Sequence, residues 1–247
     1  MRCLATLALG LAALCAGPAS AQVLAFDAVA LSGPAATQLV TVTETTEEVI
    51  EEDDDVAAAG SGRFVAALPG YAAPVTRGAA YGPFRVLDDG RAALVGATDE
   101  RSPGAFLAML AAHPGIATLE LVECPGTEDD RANLRLGRLI RARGLATHVP
   151  DGGSVRSGAV ELFLAGVHHS AEADAEFAVH AWADEDGREA TDYPASAPEN
   201  RAYLAYYREM GMSAGEAAAF YAMTNSVPNA SARWLTAAEM GRWVRYD

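Results

Sequence analysis

The sequence predicts one α/β domain with a mainly parallel sheet and a mainly helical C-terminal part. Three observations carry this. Between residues 91 and 149 short apolar runs alternate with helix-period segments in the order strand, helix, strand, helix, strand, and that order with crossovers of this length implies right-handed connections and parallel pairing. From about residue 199 onward the pattern is mostly helical. A chain of 247 residues with 51% hydrophobic content is also long enough to bury a core of its own.

Arg91-Ala-Ala-Leu-Val-Gly96 reads as the first strand, and Ser102-Pro103 opens a helix to about Ala112, with serine as N-cap and proline at the first position. Residues 115–122 form the second strand. Thr127 with Asp130 three positions later makes a capping-box-like start, and Leu134, Leu136, Leu139 and Ile140 keep helical spacing up to Gly144. Residues 145–149 are a third strand, 157–165 a helix closed by Gly166, and 177–182 another strand. Helices are expected over 199–210, 213–223 and 236–243. Tyr203, Tyr206 and Tyr207 with Leu204 and Met210 read as the packing face of the first of these.

Ahead of this unit, Met1-Arg2, an apolar run over 4–14 and the small-residue pattern Ala19-Ser-Ala21 read as a signal peptide cleaved before Gln22. The run is too short for a membrane span, and Pro18 interrupts it. The expected organisation is therefore a signal peptide over 1–21, an acidic, low-complexity and extended lead-in over 22–82, and a folded domain over 83–247, in a periplasmic or secreted protein. Eight of the twelve residues from Glu44 to Asp55 are acidic, and such a block repels itself. It lacks the spaced, Gly-interrupted pattern of an EF-hand loop.

The eighteen basic residues are all arginine, against 33 acids, for a formal charge of -15. This argues against nucleic acid or an anionic membrane surface as partner. Without any lysine there is no Schiff base, no P-loop lysine and no Ser-Lys dyad. Of three cysteines two leave with the signal peptide, so Cys124 has no intrachain partner. No cofactor and no metal site is expected.

Ligands of an open parallel sheet bind beyond the carboxyl ends of its strands, and three turns there carry chemistry. Cys124-Pro-Gly126-Thr127 places backbone N–H groups at a strand-to-helix corner, the arrangement that stabilises an oxyanion. Pro150-Asp-Gly-Gly-Ser-Val-Arg-Ser157-Gly158 delivers a serine to a helix start, where the positive dipole end favours a developing alkoxide. His180, at the end of the strand 177–182, is the natural general base. The G-x-S-x-G elbow is absent, since Val155 and Ala159 flank Ser157 where glycine would stand.

The succession of Cys124-Pro-Gly126, Leu136-Gly-Arg-Leu-Ile140, Gly144-Leu-Ala-Thr-His-Val149, Ser157-Gly158-Ala159 and Val179-His180 resembles the Clp protease/crotonase superfamily, in particular its exported Clp-like members. The resemblance spans residue 83 to the C-terminus and includes Arg233-Trp-Leu-Thr-Ala-Ala-Glu239. It implies a spiral of β-α units, Ser157 as nucleophile, His180 as base, and Gly126 and Gly158 as oxyanion-hole donors. Homo-oligomers are frequent in the superfamily, so a homo-oligomer is implied by the resemblance alone. Two departures stand out: Thr127 replaces a second glycine, and the stretch Thr224-Asn-Ser-Val-Pro-Asn229 has no carboxylate where the family's third member is expected. Asn225 is taken for that role, with Asn229, Asp184 or no third residue at all as the alternatives.

Each residue also has a plainer reading. Ser157 can be an N-cap, His180 a satisfied core histidine, and Gly126 the relief of a tight turn. Cys124 reads as a small buried side chain. His168-His169 lacks the geometry for zinc, and 184–189 reads as a solvated loop or a lid. The function expected is an exported serine hydrolase acting on a peptide or small acyl substrate, with no membrane insertion of the mature chain. The alternative is a catalytically silent binding or assembly module on the same fold.

Overall fold

The computed structural model describes residues 62–74 and 76–247. The signal-peptide reading and the acidic run 44–55 lie outside the described residues.

The fold is mixed α/β with a mainly parallel central sheet. Its strands run β2 (Ala80–Tyr81), β3 (Phe84–Val86), β4 (Arg91–Val95), β5 (Thr118–Cys124), β7 (Ala146–Val149), β8 (Ser154–Arg156), β9 (His169–Ala171), β10 (Glu176–Val179) and β11 (Arg233–Thr236). The principal path is β11-β10-β8-β5-β4-β3-β2, and β7 joins at β5 and carries β9. Pairs β4/β5, β5/β7, β5/β8, β7/β9 and β8/β10 are parallel, while β2/β3, β3/β4 and β10/β11 are antiparallel. A separate pair joins β1 (Arg63–Phe64) to β6 (Gly126–Thr127). The helices are α1 (Ser102–Ala112), α2 (Asp130–Ala142), α3 (Ala159–Leu164), α4 (Pro198–Glu209), α5 (Ala214–Thr224) and α6 (Ala237–Met240).

One strand organises the site. β5 gives its first half to β7, through Thr118↔Ala146 to Glu120↔His148, and its last two residues to β8, through Glu123↔Ser154 and Cys124↔Val155. The sheet therefore splits at β5, and the chain leaving it at Cys124 runs beside the chain leaving β8 at Arg156. Its interior positions Leu119, Leu121 and Cys124 are fully buried, with Phe84, Leu94, Phe106, Leu136, Val155, Phe163 and Phe177 around them. Apolar residues on successive positions of strands covered on both faces are what a parallel sheet requires.

Several local expectations shift. α2 is capped by Asp129, whose carboxylate accepts the Ala132 N–H at 2.9 Å; Thr127 sits in β6 instead, held by its pairing with β1. Ser102 is the first helical residue of α1, and its hydroxyl bonds Asp99 rather than capping the helix. α3 is only six residues long, so its dipole is small. Arg233–Thr236 pairs with β10 as an unforeseen strand, because four residues ending in a cap give no readable period.

The largest correction is at residue 83. Folded structure begins by Gly62, not Pro83: β1 pairs with β6, and Arg63 is only 4% exposed. Hydropathy could not show this, because the group that anchors the segment is a charge satisfied by buried carboxylates.

Candidate active site

β8 and β10 lie parallel with Arg156 opposite Ala178, so the residues just past each strand emerge side by side. This register turns a sequence separation of 23 into a contact: Ser157 Oγ is 2.6 Å from His180 Nε2. The Ser157 N–H donates to the Ala178 carbonyl at 2.8 Å, which fixes the turn to the neighbouring strand. Ser157 is the one non-glycine residue with positive φ among the described residues, at 54°. Left-handed backbone at a serine costs energy that the surroundings must hold. Here the sharp strand-to-helix corner projects the hydroxyl toward the imidazole. The corner thus has elbow geometry without the elbow's glycine pattern.

Behind the imidazole, His180 Nδ1 is 2.8 Å from the Ala181 carbonyl. A carbonyl only accepts, so Nδ1 carries the proton and Nε2 presents its lone pair to the serine hydroxyl. Asn229 donates its amide to the same carbonyl at 2.9 Å and lies 3.2 Å from Nδ1. Its loop is pinned by the Asn229 N–H donating to Glu189 at 2.7 Å and by Ala181 N–H donating to Val227 O at 2.9 Å. Among the described residues the imidazole is oriented by a backbone carbonyl and an amide, with no carboxylate bonded to it.

Asn225, taken for that role from the sequence, is not brought to His180. It ends α5, donates to Tyr221 O at 2.8 Å, and lines a cavity of about 380 Å³ with Tyr193, Asn200 and Tyr221. The amide beside the base belongs instead to Asn229, in the loop after α5. Asp184 is also engaged elsewhere, accepting from Arg188 and Tyr193.

Burial dominates the titration of His180, which is 2% exposed; with the Arg63 guanidinium repelling a second positive charge, it brings the imidazole from 6.5 down to about 4. The Ala181 carbonyl opposes this only partly. At neutral pH the base is unprotonated.

The two glycines meet at the same place. A Cβ on Gly158 would lie 2.6 Å from Thr127 Cγ2, so the corner after β8 packs directly on the corner after β5. Gly126 has φ +140°, and a Cβ there would come within 1.8 Å of Arg63 O. The Val65 N–H bonds Pro125 O at 2.9 Å, which makes Phe64 and Gly126 a non-hydrogen-bonded pair and turns the Gly126 N–H away from β1. Among the described residues the Gly158 N–H has no acceptor.

Both carbonyls at these corners are tied down. Gly126 O accepts from Thr98 N–H at 3.1 Å and Gly158 O from Asn133 Nδ2 at 2.6 Å, while Thr98 Oγ1 donates to Asn133 Oδ1 at 2.9 Å. Thr98 and Asn133, both 1% exposed, link the corners into one unit. Sequence reasoning missed them, as it missed Arg63. An asparagine on the buried face of an otherwise apolar helix stripe was the available signal.

The remaining candidates have structural partners. Cys124 is fully buried, its thiol 3.5 Å from Leu94 O, and burial pushes its titration up strongly. His168 bonds Asp247 and His169 bonds Leu164 O. Among the described residues no group of three or more His, Cys, Asp or Glu side chains is placed to hold a metal ion, and no helix is long and apolar enough to cross a membrane.

Fold and site together define an α/β protein with a buried serine-histidine pair facing two glycine corners. No family model matches the chain, and no curated protein matches it. Among solved structures, a variant of the 1510-N membrane-bound stomatin-specific protease in complex with a substrate peptide aligns over 60% of this chain and 70% of its own, at 12% identity and a TM-score of 0.41.

Proposed function

We propose that this chain is an exported serine hydrolase on a Clp/crotonase-like fold that cleaves peptide or other acyl bonds. The observation that carries the reading is the 2.6 Å contact between Ser157 Oγ, held in left-handed backbone, and the unprotonated Nε2 of His180. Export is supported by the signal-like residues 1–21.

His180 Nε2 takes the hydroxyl proton as Ser157 Oγ bonds the acyl carbon. The carbonyl oxygen gains negative charge, which the N–H groups of Gly126 and Gly158 stabilise. The imidazolium, its Nδ1–H held on Ala181 O, returns the proton to the leaving group as the acyl bond breaks. Water then repeats the sequence on the acyl-serine and releases the acid. Without a carboxylate behind it the base is weak, so slow turnover is expected.

Digestion of an unstructured peptide mixture, read by mass spectrometry, tests the proposal. Cleavage should vanish in Ser157→Ala with the circular dichroism spectrum unchanged. Equal cleavage by the variant would overturn the mechanism.

A further inference from the structure

Arg63 is buried among charged and aromatic partners. Its Nε donates to Asp130 Oδ1 at 2.7 Å, an NH2 group to Glu161 Oε2 at 3.3 Å, and its guanidinium lies 5.2 Å from the centre of the Tyr203 ring. Tyr207 OH donates to the other Glu161 oxygen at 2.8 Å. Two carboxylates, an aromatic face and a phenol donor make a pocket matched to one guanidinium. An apolar side chain in it would leave two buried carboxylates unpaired.

The pocket belongs to the serine-histidine site. Glu161 stands one turn after Ser157 on α3, Asp130 opens α2 just past the Gly126 corner, and the guanidinium's charge reaches His180. The backbone that carries Arg63 runs extended and antiparallel to β6, the strand containing Gly126, and Arg63 O is in contact with that glycine. Adding a strand beside a site while one side chain enters a pocket is how extended peptides are recognised. Among the described residues β1 has no other strand partner, and Ser157 and His180 are 3% and 2% exposed.

We propose that the Asp130–Glu161–Tyr203 pocket is the recognition subsite for the arginine side chain of an extended peptide, and that residues 62–65 fill it from within the chain. The subsite rests on the hydrolase reading for the cleavage of a bound peptide, while the binding step is measurable without cleavage.

The test uses the full chain carrying Arg63→Ala with acetyl-Gly-Arg-Phe-Val-amide and its Gly-Leu-Phe-Val counterpart, with binding read by fluorescence anisotropy and melting by thermal shift. The arginine peptide should bind the variant at least ~100-fold more tightly than the leucine peptide and raise its melting temperature, while the parent chain, its pocket filled, binds neither. Equal binding of both peptides, or none to folded variant, would overturn the proposal. Should Arg63→Ala not fold, Val65→Pro keeps the guanidinium, removes the N–H given to Pro125 O and fixes φ at that position; the arginine peptide should then compete with the loosened segment, and failure to compete overturns the proposal equally. Fluorophosphonate labelling of Ser157 is read in the same samples. Arginine-selective binding without labelling upholds the pocket and refutes the hydrolase, and labelling without selectivity does the reverse.

Discussion

Lowering the pH should reveal the buried imidazole twice, in reactivity and in stability. His180 is held from 6.5 down to about 4 by burial first and the Arg63 charge second. A shift of that size corresponds to about 3 kcal/mol between the two protonation states. Above pH 6.5 the ring is neutral folded and unfolded, and it contributes no slope. Between 6.5 and 4 the unfolded chain binds a proton that the folded chain refuses, so stability falls as pH falls, by at most about 1.4 kcal/mol per pH unit from this group. Below about 4 both states are protonated and its contribution levels off. Reactivity tracks the folded-state value: fluorophosphonate labelling of Ser157 should hold from pH 8 to 5 and halve near 4. NMR titration of the His180 ring, with His180→Ala identifying its resonance, measures the midpoint directly. A midpoint at or above 6 in folded protein would refute the burial argument.

The site geometry sets three further outcomes. Asn229→Asp puts a carboxylate 3.2 Å from Nδ1 and should raise the His180 midpoint by about 1–3 pH units, whereas Asn225→Asp, away from the ring, should leave it in place; the same titration distinguishes them. Gly126→Ala drives a Cβ against Arg63 O at a φ that alanine avoids, and should lower the Ser157 labelling rate about 100-fold or more by displacing one oxyanion donor, read by intact mass against time. Cys124→Ala should leave labelling unchanged and cost about 1 kcal/mol in denaturant melts, as expected for a small buried side chain.

Much of the fold and site was legible because the chemistry sits on regular elements. Glycine turns after apolar strands announced the corners at Gly126 and Ser157, and strand-helix alternation implied the parallel sheet whose register joins Ser157 to His180. What the sequence hid depends on long-range contacts. Choosing Asn225 over Asn229 required knowing where α5 stops and that Glu189 and Ala181 pin the loop beyond it. The positive φ of Ser157 accompanies its N–H bond to the Ala178 carbonyl and leaves no trace in residue type. Arg63 stands in a stretch rich in small residues without period, and its burial makes sense only beside Asp130 and Glu161, 67 and 98 positions away.

The most direct test of the serine-histidine mechanism is intact-mass detection of fluorophosphonate labelling on the folded chain and its Arg63→Ala, Ser157→Ala and His180→Ala variants. One label per chain is expected, acquired faster in Arg63→Ala than in the parent and absent from Ser157→Ala and His180→Ala. Labelling that survives in Ser157→Ala, or none in folded parent and folded Arg63→Ala alike, would contradict it.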